Sequence, residues 1–235
     1  MKLQKLTESR NGPSRRRYED ACGTAHALDL IGERWALLVM RELMLGPKRF
    51  GDLRADLPGI SANVLTQRLE GLEEAGVLVR RLLPPPSSVQ VYELTEWGYQ
   101  SRPIMGALGR WATRSPLHDP TLPISAVSLM LSFQAMGQAA ITKALNARIG
   151  FRLGRETYVL TLKDGMVDPQ RGDPDDADVV LAGNPSAIAG AVYGGVPLEA
   201  LEAQSALIIS GQRALAEKFV TLFPLPPKAS MPAKP

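Results

Sequence analysis

The chain has 235 residues, 45% of them hydrophobic and 22% charged, with one cysteine and two histidines. That length exceeds the needs of most single domains, so two are expected. No apolar run is long enough to span a bilayer, and no apolar segment behind the basic start resembles a signal peptide. The lone Cys22 cannot form an intrachain disulfide, which fits a cytoplasmic protein without membrane partners. No Gly-x-Ser-x-Gly, phosphate-binding glycine loop or paired histidines occur, so the reading is no enzyme, no catalytic residues, no cofactor and no metal. Residues 1–116 hold 17 Lys+Arg against 13 Asp+Glu, and residues 117–235 hold 10 against 11. The basic half suits a polyanion, because each neutralised phosphate releases counterions, although so small an excess also fits plain solvated surface charge.

In chain order, residues 1–20 form a basic arm whose Arg15, Arg16 and Arg17 either track a groove or only solvate the tail. The stretch "AHALDLIGERWALLVMRELMLG" spaces its apolar residues as helices do; Gly32 marks a break, and Gly46-Pro47 ends the second helix. "KRFGDLRADLPG" is one short helix. In "GISANVLTQRLEGLEEAGVLVRR", Ser61 is the N-cap, while Leu65, Leu69 and Leu72 make a narrow apolar stripe for the core. "VLVRRLL" and "VQVYELT" alternate as a hairpin across "PPPSS". Thr95 caps "EWGYQSRPIMGALGRWATRS", one helix kinked at Pro103.

Helix, helix, helix, hairpin, helix is the layout of a winged helix-turn-helix domain, placed at 21–115. The proline-rich 116–127 is the linker. Residues 128–224 read as a separate α+β domain that opens on one long apolar helix, with a turn at Lys163-Asp164-Gly165. The tail, 225–235, reads as too proline-rich to pack. The acidic "GDPDDAD" is taken as a solvated turn, because it lacks the glycine and terminal glutamate of an EF-hand.

Three ordered motifs, "CGTAHALDLIGERWALLVMREL", "KRFGDLRADLPGISANVLTQRLEGLEEAGVLVRR" and "VYELTEWG", resemble the HxlR-type winged-helix transcription regulators. The chain departs from that family's pattern at Glu33-Arg34, where Gly-Lys is usual, and at Ser87-Ser88 in the wing. The resemblance implies a homodimer on double-stranded DNA, paired through the first and last helices of the domain. The residues agree on a reading face. Ser61, Asn63, Thr66 and Gln67 carry short or amide side chains suited to base edges and phosphates, with Arg68 at a flank. Lys48, Arg49, Arg80, Arg81, Ser87 and Ser88 are the candidate backbone contacts. Since neighbouring strand residues face opposite sides, only one of Arg80 and Arg81 can point at DNA. Cys22 has two readings, a thiolate sensor favoured by the nearby arginines or a small core residue at the dimer interface.

The second half, through "YVLTLKDGMV", "ADVVLAGNPSAIAGAVYGG" and "ALIISGQRALAEKFVTLF", resembles the sterol-carrier-protein-like fold. That implies a small sheet with helices over one face and an apolar tunnel between them. Met130, Phe133, Met136, Val192, Leu201, Leu207 and Phe219 are its candidate lining for a small apolar ligand, against the alternatives that they fill a core and that the domain supports dimerisation of a sequence-specific regulator. Alternatively, the chain is a lipid or apolar-ligand carrier whose winged helix serves as a protein-interaction module.

Overall fold

Gly32 divides the first apolar stretch as predicted: α1 (Gly23–Ile31) stops there and α2 (Ala36–Leu43) starts beyond Trp35. The computed structural model describes residues 18–84, 89–143 and 145–230. Arg49 stands at the N-cap of α3 (Phe50–Asp56) and Ser61 at that of α4 (Ala62–Glu74), where the serine hydroxyl accepts the Val64 N–H at 3.3 Å. Leu65, Leu69 and Leu72 are buried with Val39, Leu43 and Leu53 from α2 and α3, so the predicted stripe does face the core. Trp35 enters α2 with φ at 79°, a backbone region that bulky residues avoid. Its indole reaches the turn at Gly59, whose own φ of +92° calls for glycine. The start of α2 and the start of α4 are thereby placed against each other.

β1 (Leu78–Leu82) and β2 (Gln90–Leu94) pair antiparallel with Arg80 opposite Tyr92 and Arg81 opposite Val91. The next helix differs from expectation. Thr95 does cap, accepting the Gly98 N–H at 3.0 Å, but the helix is two: α5 (Glu96–Tyr99) and α6 (Arg102–Ala112). Pro103 lies in the first turn of α6, where its missing N–H has no intrahelical partner to lose, so it starts a helix instead of kinking one.

The C-terminal domain opens on α7 (Ala126–Met136), capped by Ser125, and the short α8 (Ala139–Thr142). The long apolar helix expected there ends at Gly137, and the residues from Ala147 onward are strand. β3 (Ala147–Leu153), β4 (Glu156–Lys163), β5 (Met166–Arg171), β6 (Val179–Gly183) and β7 (Leu207–Gly211) form one sheet in the order β5-β4-β3-β6-β7, with β3 and β6 parallel and the other pairs antiparallel. Asp164 and Gly165, both at positive φ, make the two-residue turn between β4 and β5. α9 (Pro185–Gly194), α10 (Leu198–Ala203) and α11 (Arg213–Phe219) complete the domain. The fold is therefore α+β throughout its second half, as expected.

The two domains share side chains. Leu45, just beyond α2, is buried in the C-terminal core, and Leu131 of α7 packs against both cores. α6 lies along α7, with Arg102 donating to Gln134 at 2.7 Å and Arg110 to the Ala135 carbonyl at 3.2 Å. The tail also differs from expectation over 225–230. Leu225 packs on the core, and the Lys228 ammonium donates to the carbonyls of Thr113, Ser115 and His118. Prolines do not prevent this, because an extended segment needs no internal hydrogen bonds when a cation can reach the free carbonyls at a helix end.

Candidate nucleic-acid interface

Ser61, Asn63, Thr66 and Gln67 are all exposed at the N-terminal end of α4, on the side opposite its buried leucines. An exposed amide at Asn63 and another four residues along at Gln67 stand one above the other on one helix face. Arg49 is exposed at the start of α3, where a cation can meet a phosphate.

Lys48 is not available for that role. Its side chain is 1% exposed and its ammonium lies among three carboxylates: Glu42 of α2 at 3.2 Å, Glu156 of β4 at 3.2 Å, and Asp56 of α3 in closer contact. Burial alone would push the Lys48 pKa down, but the three carboxylates outweigh it and hold the ammonium above the ordinary lysine range. Burial raises Asp56 above the usual carboxylate range, although Lys48 pulls the other way. Arg41 also bonds Glu42, at 2.8 Å, and Arg171 bonds Glu156, at 2.9 Å. Three cations thus meet three carboxylates in one cluster.

Two further arginines are spoken for. Arg68 is held by Glu33 at 3.2 Å with only 17% of its side chain exposed, so the residue that departs from the family pattern is the one that draws Arg68 back from the flank. Arg80 turns to Glu73 of α4 at 2.6 Å, which lowers the glutamate's pKa and raises the arginine's. Arg81 pairs with Glu93 at 2.9 Å but keeps 64% exposure, making it the freer of the wing pair. Arg15, Arg16, Arg17, Ser87 and Ser88 lie outside the described residues.

Cys22 is exposed at the N-cap of α1, so within one chain it is not a core residue. Its side chain makes no capping hydrogen bond, but the nearby backbone N–H groups of Ala25 and Thr24 at the helix start favour the thiolate and lower its pKa.

The seven candidate pocket residues of the C-terminal domain are all buried in one continuous core. Phe133 stands at its centre, with ring centroids at 5.8 Å to Phe151, 5.2 Å to Phe219 and 4.9 Å to Phe223. These distances are ordinary aromatic contacts, and the rings fill the space that a tunnel would need. A cleft of about 1760 Å³, open to solvent, runs between the domains. Of the seven residues only Met136 lines it, together with Leu38, Ile124 and Tyr193. The Tyr193 hydroxyl is 2.6 Å from that of Ser132, and burial raises its pKa. Within the acidic run, Asp178 accepts the Arg148 N–H at 2.7 Å, and the exposed Asp175 pairs with Arg152.

Comparison with known proteins matches two families in succession along the chain. Residues 30–118 match the HxlR-like helix-turn-helix family, and residues 130–224 match the SCP-2 sterol transfer family. The HTH-type transcriptional regulator YvaP of Bacillus subtilis is 38% identical over 87 residues, which are 37% of this chain and 81% of YvaP. YodB, another HTH-type transcriptional regulator of B. subtilis, is 36% identical over 86 residues, covering 37% of this chain and 77% of YodB. The solved structure of reduced YodB has 32% sequence identity, covers 43% of this chain and 100% of that one, and superposes with a TM-score of 0.38. With the exposed polar end of α4, the hairpin behind it and four-fifths of YvaP matched in sequence, the chain belongs to the HxlR-like helix-turn-helix family and carries a second, SCP-2-like domain.

Proposed function

We propose that the protein is a transcriptional regulator that binds double-stranded DNA as a homodimer and reads its sequence with the N-terminal end of α4. The observation that carries this reading is the exposure of Asn63, Thr66 and Gln67 beside a capped helix start, on a scaffold whose relatives are named HTH-type transcriptional regulators. Farther along α4, Glu70 and Glu74 are exposed and would repel phosphate, so only the helix start enters the groove. Arg49 and Arg81 supply backbone contacts on either side.

Selection of bound duplexes from a random pool, at two salt concentrations, tests the reading. A palindromic motif enriched at both is the expected result; binding without a motif, or no binding, sinks it. In the same assay Asn63→Ala and Gln67→Ala should each lose about 1–3 kcal/mol of preference for the base they contact. Unchanged preference in both variants would remove α4 as the reading helix.

The dimer rests on two helices without a buried residue. α1 exposes Leu28, and α6 exposes Ile104, Leu108 and Trp111, at 60%, 44% and 72%. The last three recur at helical spacing on one face, as in a helix built to meet a partner. Trp111→Glu should weaken self-association by about 2 kcal/mol, roughly thirtyfold, in sedimentation equilibrium. An unshifted monomer–dimer equilibrium would place the dimer contact on another surface.

A second reading, carriage of a small apolar ligand, is supported by the match to the SCP-2 sterol transfer family. The packed phenylalanines argue against an interior tunnel, and the interdomain cleft with its Met136 and Tyr193 wall is the better place for such a ligand. Apolar carriage should barely weaken as salt rises, whereas DNA binding should fall steeply, so the two salt concentrations also separate these readings.

A further inference from the structure

The Lys48 cluster is built from both domains. Glu42, Lys48 and Asp56 come from the winged helix, and Glu156 comes from the second strand of the C-terminal sheet. Ser125, the cap of the first C-terminal helix, donates to Glu42 Oε1 at 2.7 Å, so the same carboxylate that holds Lys48 also holds α7. Arg171, bonded to Glu156, donates its Nε–H to the Leu45 carbonyl at 3.2 Å. Three bonds therefore cross the domain boundary within one charge-balanced group, and all three end on α2, its exit loop or the start of α3.

We propose that this cluster is a latch through which the C-terminal domain sets the posture of α3, and so of the reading helix that follows it. A buried ion pair contributes little net stability compared with apolar packing, but it accepts few alternative geometries, which suits a part that fixes registry. Asp56 ties the last turn of α3 to Lys48, and Pro58-Gly59 leads directly into the cap of α4. Lys48, Asp56, Glu156 and Arg171 also line the interdomain cleft. A change that opens the cleft at this end would move the latch, and by that route a signal received by the C-terminal domain would reach the DNA-reading end. Coupling of this kind requires two states with different DNA affinity, and release of the latch supplies the second.

Glu156→Gln and Ser125→Ala test this with little cost to the fold, because Lys48 keeps Glu42 and Asp56, and Glu42 keeps Arg41. Spin labels at Asp52→Cys and Arg155→Cys, both exposed on the cleft walls, report the distance between α3 and the β3–β4 turn in a Cys22→Ser background. The parent chain should give one narrow distance distribution, and the double variant Glu156→Gln/Ser125→Ala a broad or shifted one. The DNA arm rests on the regulator reading above: affinity for the selected duplex should fall about tenfold in the double variant. An unchanged distance distribution overturns the latch, and so does a changed distribution with unchanged duplex affinity. If the parent chain selects no duplex, the regulator reading falls by itself, while the label distances still decide whether the C-terminal domain fixes α3.

Discussion

Lys48→Ala should lower the free energy of unfolding by about 3 kcal/mol, near the bottom of the range for breaking a buried ion pair from one side. The substitution leaves Glu42, which is 0% exposed, without its ammonium, and leaves three carboxylates, Glu42, Asp56 and Glu156, to two cations, Arg41 and Arg171. Arg41 and Ser125 still bond Glu42, which is why the loss falls at the low end. Removing charge from both sides, as Lys48→Met with Glu42→Leu, should recover at least half of the deficit, since an apolar pair of similar volume has no desolvation cost. Urea titration of the full chain measures both variants. A single-variant loss below about 1 kcal/mol would mean that water already screens the cluster. The pH dependence has a definite sign. Because the folded-state pKa of Lys48 is raised, its contribution is fully present below the ordinary value of 10.5 and is lost as pH climbs through the higher folded value. The gap between parent and variant should stay flat through neutral pH and close in strong alkali, where the ammonium is lost. Asp56 has the same sign in a lower window, since its raised pKa penalises the charged form on folding: stability is lost as pH rises through the carboxylate range, and acidification through that range relieves the penalty.

Phe133→Ala should cost about 3–5 kcal/mol, because the ring is fully buried and its neighbours cannot collapse onto the gap. Phe151, Phe219 and Phe223 come from a strand, a helix and the segment after that helix, so closing the void would require three elements to move at once. The variant should also take up small apolar molecules, because an engineered apolar void stays dry and receptive. Thermal or urea unfolding with and without benzene reads both effects. A loss under about 1 kcal/mol would show that the middle of the domain is loosely filled, and would return the lining residues to the candidate tunnel.

Local chemistry was the legible part. Ser61 as a cap, Leu65, Leu69 and Leu72 as a buried stripe, the break at Gly32 and the Asp164-Gly165 turn all follow from spacing and from backbone preferences of single residues. The exposed amides of Asn63 and Gln67 follow from the same periodicity. Lys48 was misjudged because its partners lie at positions 42, 56 and 156, and no local pattern tells a lysine that three carboxylates await it. Arg68 is drawn inward by Glu33, and the still-exposed Arg80 is paired with Glu73, again through the tertiary arrangement. The break between α5 and α6 was visible in principle, since Pro103 favours the first turn of a helix over its interior. α10 was missed because "PLEALEA" is too short to show a period. A filled core and a lined tunnel have the same apolar spacing, so only the ring-to-ring distances separated them.

Leu45 and Leu131 bear on how such a chain can change over generations. Each is shaped for a neighbour encoded on the other side of the linker, so a gene fragment carrying either half into a new context brings an uncovered leucine with it. Separating the halves therefore exposes apolar surface on each, and a substitution at either leucine is felt by the surface that receives it across the seam.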